Sequence, residues 1–355
     1  MKHGVHREML TEAFKSLENL ETVDVRDFNA PRRRDGTDWQ PWGAKTFFGL
    51  TGILPRPHHH PTSRRVFMAD LFSVLLYSLG LAAQPLPRFE VLLRNGIGLP
   101  DSSFFLPDFL FRAVRPVLQE LKVLYLTVES GPLRNLHHFL NCTPNLQELR
   151  FNFARNNLGA NDDFLRWFAA DQVYPIEPPQ PTKIGAAVAP PPALFQLTTL
   201  ELGLLRTTSK TLLLVIEKVA PRLERLSLWR ISFDSYRRAD TSHRADTSQW
   251  TQFFKDMASI KLPALKYLKL GGLSIHGSIQ MGYIEILGKD MTSVNREYSG
   301  NDISGFLQSL ADEIGGPAPV VESDSEEEEG MNSDEEHDDE QNDEDEDEED
   351  GSDSD

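Results

Sequence analysis

The chain has very little cysteine and no long uninterrupted apolar segment. Cys142 is its one cysteine, so neither an internal disulfide nor a cysteine-ligated zinc site can form. The N-terminus has no apolar signal core, and the most apolar stretch, residues 66–83, contains Asp70 and Tyr77. This composition favours a buried helix over a membrane span. We therefore expect a cytoplasmic or nuclear protein without a membrane partner.

The sequence also lacks a catalytic signature. Gly96 and Gly98 flank an isoleucine without the rest of a phosphate-binding loop. His58, His59 and His60 lie between prolines, with no patterned cysteine or carboxylate nearby to complete a metal site. We therefore expect no enzymatic activity, no cofactor and no metal.

Charge is distributed unevenly along the chain. The formal net charge is −18, but residues 322–355 contain 22 Asp and Glu and no Lys or Arg, which leaves about +4 for residues 1–321. Such a tail cannot bury apolar surface and is expected to be disordered. Its serines Ser323, Ser325, Ser333 and Ser352 each precede an acid by three residues, a pattern that acidophilic kinases favour. The overall charge opposes nucleic-acid binding, despite the short basic run at 32–34.

What the chain does contain is a repeated leucine phrase, L-x-x-L-x-L, in which Val or Phe sometimes replaces Leu. Counted from the first residue of each phrase, the last four intervals are 25, 51, 26 and 42 residues, and a helix-like segment precedes most copies. A period in the twenties with one strand and one helix per unit is typical of leucine-rich repeats. The seven copies are Leu20/Val23/Val25, Leu86/Phe89/Val91, Leu121/Leu124/Leu126, Leu146/Leu149/Phe151, Leu197/Leu200/Leu202, Leu223/Leu226/Leu228 and Leu265/Leu268/Leu270.

The phrases predict an α/β fold: an irregular leucine-rich-repeat-like solenoid of about seven parallel strands with outer helices. It is expected to be irregular because no copy carries the usual Asn three residues after its last Leu. The alternative is an ordinary α/β domain with chance L-x-x-L-x-L runs. The predicted helices cover residues 7–19, 64–83, 106–118 (broken by Pro116), 133–140, 207–219 and 249–259.

Composition divides the chain into three regions. Residues 1–276 form the predicted repeat domain, interrupted by long loops. A weakly structured extension follows at 277–321, with a short helix near 303–314, and the acidic tail occupies 322–355. The loops are predicted at 27–63, at 171–193, where prolines are dense, and at 232–249, where RADTS occurs twice.

The candidate binding residues are those interleaved with the leucines. In each phrase the third, fifth and seventh positions point away from the core, to the inner surface of the predicted arc. Trp, Tyr and Arg contribute most to interface energetics. This predicts a protein ligand anchored by residues Tyr125, Arg150, Arg225, Trp229 and Tyr267. The alternative is that loops cover these positions, with Trp229 packed beneath the 232–249 loop.

Part of the sequence resembles a known family. Leu17–Asn29 with the following Arg-Asp-Gly and the Trp39 and Trp42 region, together with the later units APRLERLSLWRI and KLPALKYLKL, is similar to filamentous-fungal F-box proteins that carry leucine-rich-repeat-like regions. The resemblance covers roughly residues 7–275. It implies a substrate-recognition region of a cullin-type ubiquitin ligase. An adaptor partner is expected only if an F-box exists upstream, because in the family it precedes the first repeat.

The acidic tail supports a second interpretation. A leucine-rich-repeat body followed by an Asp/Glu tail resembles acidic leucine-rich nuclear phosphoproteins, which bind histones. Such a tail would compete for basic protein surfaces.

Overall fold

The structure is a computed structural model in which the fold is α/β, with helices between the strands of a mostly parallel sheet. It describes residues 4–27, 49, 61–94, 96–154, 158–170, 189–234, 248–276 and 295–315. The predicted acidic tail lies outside these residues, together with the four serines singled out as phosphorylation candidates. So do His58, His59 and His60, and most of the predicted loops at 27–63, 171–193 and 232–249.

Nine strands in the described part form one sheet. Their spatial order is β1-β2-β3-β4-β5-β6-β7-β9, and β8 pairs with β6 beyond the end of β7. All described pairs are parallel except β7 with β9, and the sheet is open because β1 and β9 stand at opposite ends of that order. The strands are β1 (Thr22–Arg26), β2 (Arg88–Leu92), β3 (Val123–Val128), β4 (Glu148–Phe153), β5 (Thr199–Thr207), β6 (Arg225–Asp234), β7 (Tyr267–Gly271), β8 (Ser274–His276) and β9 (Asn295–Ser299).

Helices connect the successive strands from β1 to β7. A short 3-10 helix also occurs at Asp101–Phe104. The α-helices are α1 (Val5–Lys15), α2 (Pro61–Ala82), α3 (Asp108–Glu120), α4 (Arg134–Asn141), α5 (Leu158–Ala169), α6 (Ser209–Val219), α7 (Ser248–Ser259) and α8 (Ile303–Gly315).

The predicted break at Pro116 is wrong, because α3 continues through it to Glu120. A proline removes one helical hydrogen bond and crowds the carbonyl four residues earlier. Here both Pro116 and Arg112 are exposed, so water can solvate that carbonyl. The solvent side of α3 therefore tolerates the proline.

Each of the seven leucine phrases forms one strand, and the strands align in register. The fourth position of every phrase pairs with the fourth position of the next, and the same holds for the sixth. From β2 to β7 both positions are buried in the core. Each fully buried Leu or Phe there stabilises the fold by about 1.5–3 kcal/mol relative to an exposed one. The regular spacing of apolar residues thus builds one face of the sheet, called here the apolar face.

The helices pack against this apolar face. Phe72 of α2 stacks on Phe89 of β2 with ring centroids 5.4 Å apart, and Phe164 of α5 meets Phe151 of β4 edge to face at 5.2 Å. These ring pairs add about 0.5–1.5 kcal/mol each beyond their buried area. Helix α5 was not predicted; it occupies part of the 51-residue interval between β4 and β5.

Helix α2 is long and apolar enough to cross a membrane by length and composition, and 28% of its 18-residue window is buried. It packs by the stripe Phe72, Leu75, Leu76 and Leu79, which lies in the core. On the same helix Ser78 donates a hydrogen bond of 3.1 Å to the backbone carbonyl of Arg7 in α1. The helix predicted for residues 66–83 is thus buried on one side only, since Val66 and Phe67 on the same helix are exposed.

Three neighbouring units bend at the same place. Leu204, Arg230 and Gly272 have φ angles of 56°, 52° and 59°, and each directly follows an aligned position, Gly203, Trp229 or Gly271. A left-handed conformation costs a non-glycine residue about 1 kcal/mol. After the bend the strand alternation shifts by one residue, so the next residues, among them Leu205 and Ile231, return to the core.

The extension after residue 276 carries more regular structure than its composition indicates. Strand β9 pairs antiparallel with β7, and α8 buries Ile303, Leu307 and Leu310 next to α7. The helix occupies nearly the residues predicted for it, whereas the strand was not predicted. Residues 277–294 and 316–321 lie outside the described part.

Candidate functional site

The interleaved positions of the leucine phrases form three rows across the sheet, on the side opposite the apolar face. We call this side the polar face. Register pairing continues the first two rows from β1 to β7 and onto β9, and it continues the third row except between Leu92 and Thr127, because the β2–β3 pairing ends at Val91 and Leu126. The rows are Thr22, Arg88, Val123, Glu148, Thr199, Arg225, Tyr267 and Ser299; Asp24, Glu90, Tyr125, Arg150, Glu201, Ser227, Lys269 and Glu297; and Arg26, Leu92, Thr127, Asn152, Gly203, Trp229, Gly271 and Asn295.

Near β1 and β2 the charged side chains of the polar face form ion pairs with one another. Arg26 forms ion pairs with Asp24 at 2.6 Å and with Glu90 at 3.0 Å, and Arg88 also pairs with Glu90. Glu90 is buried, and a buried carboxylate needs compensating partners of this kind. Hydrogen bonding to Asp24 raises the pKa of Arg26. These side chains are already engaged with one another.

The centre of the polar face contains two of the predicted anchors. The Tyr125 hydroxyl donates a hydrogen bond of 2.8 Å to Glu148, and Arg150 pairs with Glu201 at 3.4 Å. The guanidinium carbons of Arg88 and Arg150 lie 5.0 and 6.0 Å from the centre of the Tyr125 ring. Burial, followed by the hydrogen bond to Glu148, raises the pKa of Tyr125 well above its ordinary value. Tyr125 is therefore a neutral, oriented hydrogen-bonding group.

At the end of the polar face, on β6 and β7, an exposed arginine packs on an aromatic ring. Arg225 is exposed, and its guanidinium carbon lies 4.3 Å from the centre of the Tyr267 ring. Lys269 on the same strand as Tyr267 pairs with Glu297 of β9. Burial, followed by the charge of Glu297, raises the pKa of Tyr267. Arg225 and Tyr267 thus form an ordered pair that faces solvent.

Trp229 is half-buried and lies over Gly271 of the neighbouring strand. A Cβ atom added at Gly271 would collide with the indole ring and would lie 2.7 Å from Asn295 Oδ1. The absence of a side chain at 271 therefore makes room for the ring. The alternative that Trp229 packs beneath the 232–249 loop concerns residues 235–247, which lie outside the described part.

All five predicted anchors lie on the polar face, in two groups. Tyr125 and Arg150 are cross-strand neighbours on β3 and β4, and Arg225 and Tyr267 are cross-strand neighbours on β6 and β7. Trp229 lies on β6, two residues beyond the middle row. Their partners Glu148, Glu201 and Glu297 were not singled out from the sequence. Alignment of the phrases would have placed the first two next to Tyr125 and Arg150.

Two potentially reactive side chains away from the polar face, His137 and Cys142, are held in their uncharged forms by burial. His137 is 8% exposed and stacks on Trp167 with ring centroids 3.6 Å apart, and burial lowers its pKa to about 4. Cys142 is half-buried, its thiol donates to the backbone carbonyl of His138 at 3.2 Å, and burial raises its pKa. A high pKa leaves little of the reactive thiolate. Within the described ranges there is no cluster of three or more His, Cys, Asp or Glu suited to a metal ion.

Neither a protein-family model nor a curated protein matches the chain. The polar face, with its two groups of anchor-type side chains, is therefore the feature on which a function must be argued.

Proposed function

We propose that this chain is a non-enzymatic protein-binding scaffold built as an irregular leucine-rich-repeat-like solenoid. Support for the solenoid comes from seven sequential parallel strands in register, one per leucine phrase, with helices packed on one side. Each unit contacts chiefly its neighbours, as in repeat proteins. The missing Asn ladder and the unequal intervals make the repeat irregular.

The ligand of this scaffold is a protein that docks on the polar face. The observation that carries the proposal is the convergence of Tyr125, Arg150, Arg225, Trp229 and Tyr267 on one face of the sheet. Tyr, Trp and Arg dominate the energetics of protein interfaces because they combine large contact area with directed polar groups. Their ion pairs and ring contacts hold several of them in place before binding, which lowers the entropic cost of association.

The resemblance to fungal F-box proteins makes substrate recognition for a cullin-type ubiquitin ligase the most specific form of this proposal. A ligase adaptor belongs to it only where an F-box exists upstream of the repeats. The proposal includes no cofactor, no metal, no membrane and no nucleic acid, and places the protein in the cytoplasm or nucleus.

A second candidate function concerns the tail. Its 22 acidic residues would attract histones or other basic proteins, as in acidic leucine-rich nuclear phosphoproteins. Binding of this kind weakens steeply with salt, because screening shortens the range of the attraction. Equal histone binding by a variant ending at Val321 would exclude it.

The test of the main proposal is a substitution that obstructs the polar face and leaves all five anchor residues unchanged. Ser227 lies in the middle row between Glu201 and Lys269, so Ser227→Trp would project an indole ring from the β6 end of the polar face, between Arg225 and Trp229 on the same strand. The matched control is Ser309→Trp on the exposed side of α8. We expect affinity purification followed by mass spectrometry to show partners that Ser309→Trp retains and Ser227→Trp loses. Identical partners for both variants, with unchanged circular dichroism, would refute the proposal.

A further inference from the structure

The cations of the polar face are neutralised in place, with one exception among the described residues. The three rows contain five cations, Arg26, Arg88, Arg150, Arg225 and Lys269, and five acids, Asp24, Glu90, Glu148, Glu201 and Glu297. Four of the cations form ion pairs with acids of the same face. Arg225 forms none within the part of the chain that the structure describes.

Arg225 is nevertheless held in position. Its guanidinium lies over the Tyr267 ring at 4.3 Å, an arrangement that orients an arginine without cancelling its charge. The five donors of an arginine remain available on the open side of such a pair, in a fork that matches a carboxylate. An ordered and unneutralised arginine at an exposed surface is suited to an incoming anion.

Charged residues of both signs surround Arg225. Arg222 and Lys266 are exposed just before β6 and β7, with Glu224 between Arg222 and Lys266 in sequence, and on the polar face itself Glu297 lies close to Tyr267. The backbone amides of Lys266 and Tyr267 donate to the carbonyl of Glu224 at 2.9 and 3.1 Å, which fixes the two strand ends side by side. On the polar face Lys269 and Glu297 neutralise each other, which leaves Arg225 as the cation without an ion pair at this end of the described face.

The rest of the face limits what the anion can be. Glu201 lies next to Ser227 in the middle row, and Glu148 lies two strands from Arg225 in the first row, about 10 Å away at ordinary strand spacing. A continuous polyanion such as nucleic acid would meet these carboxylates. An extended peptide with a local acidic group would not, because its other residues could lie over Glu148 and Tyr125.

We infer that Arg225, oriented by Tyr267, binds an acidic side chain of an extended segment of the protein ligand. This inference deepens the proposed function and rests on it, since it names the chemistry of the partner at one end of the polar face. A carboxylate engaged by both arms of Arg225 would form charge-assisted hydrogen bonds, which are stronger than those between neutral groups.

The experiment measures fluorescence anisotropy of a fluorescein-labelled oligo-glutamate peptide and an oligo-glutamine peptide of the same length on the full chain. We expect the glutamate peptide to bind more tightly than the glutamine peptide. Arg225→Gln should weaken glutamate binding at least roughly tenfold, because the charge-assisted hydrogen bonds from both arms of the guanidinium are lost. The acidic tail is present in every variant, so its repulsion of the glutamate peptide is the same for each and cancels when variants are compared with that peptide.

Arg115→Gln is the matched control. Arg115 is also exposed and lies over an aromatic ring, that of Phe111 at 5.9 Å, but it belongs to α3, away from the polar face. We expect it to change the affinity less than twofold, as is usual for a distant surface substitution. An equal loss in both variants would mean nonspecific attraction and would overturn the inference, as would equal binding of the two peptides. If either occurs while Ser227→Trp still loses partners that Ser309→Trp keeps, the proposed function stands and this inference alone fails.

Discussion

The assignment of the leucines to a buried face makes a quantitative prediction at Leu228. This residue is 0% exposed and lies in register between Leu202 of β5 and Leu270 of β7, both buried. Leu228→Ala removes three carbons from a site that neighbouring strands hold open on both sides, so the cavity collapses little. Leucine-to-alanine substitutions at such sites cost about 3–5 kcal/mol in the free energy of unfolding. For a domain of this size that corresponds to a fall in Tm of roughly 6–12 °C.

Urea unfolding followed by circular dichroism measures this free energy, and Leu214→Ala provides the matched comparison. Leu214 lies on α6 and is 42% exposed, so the same chemical change there should cost less than about 1 kcal/mol. Similar losses in the two variants would mean that the leucine phrases do not face a common core, and the division into apolar and polar faces would be refuted.

Three further predictions concern individual contacts. Gly271→Ala should displace the Trp229 ring, shift the tryptophan emission and cost about 1–3 kcal/mol in unfolding free energy, because the new Cβ collides with the indole; unchanged emission would contradict the packing. Asp162→Ala should cost about 1–3 kcal/mol by leaving the buried Thr207 hydroxyl, which donates to it at 2.8 Å, without an acceptor, and Asp162→Asn should restore part of the loss in thermal melts. His137, with a folded pKa of about 4 against an ordinary 6.5, binds its proton less readily in the folded state. Stability should therefore be full above about pH 6.5 and fall toward pH 4 by up to about 1.4 kcal/mol per pH unit; His137→Phe should lose this component in urea titrations across that range.

The strands of this fold were predictable because their signal is local. Each L-x-x-L-x-L phrase places two apolar side chains on one face of a strand, and any such strand must bury that face. The helices before the phrases carry an equally local period. Strand β9 escaped prediction because its sequence, Asn-Arg-Glu-Tyr-Ser, has no apolar alternation and is ordered by pairing with β7. Its position depends on a partner strand distant in sequence.

The candidate site was likewise predictable only in part. The spacing of the phrases identified which residues leave the core, including Arg225 and Tyr267. It did not identify which of them neutralise one another. Arg150 and Glu201 are separated by 51 residues, and their ion pair exists because β4 and β5 align without slippage despite the intervening helix and insertion. The contrast between these paired residues and Arg225 is a property of the assembled sheet.

Strand β9 also determines how far the sheet can grow. Parallel units can be added one after another, since the edge of each strand matches the next in direction and register. The antiparallel β9 covers the edge of β7 and presents the exposed polar residues Asn295 and Ser299 and the charged Glu297 in place of another leucine phrase. Charged edge strands resist pairing with other chains. Among the described residues this short strand therefore ends the sheet and protects the edge of β7 from pairing with other chains.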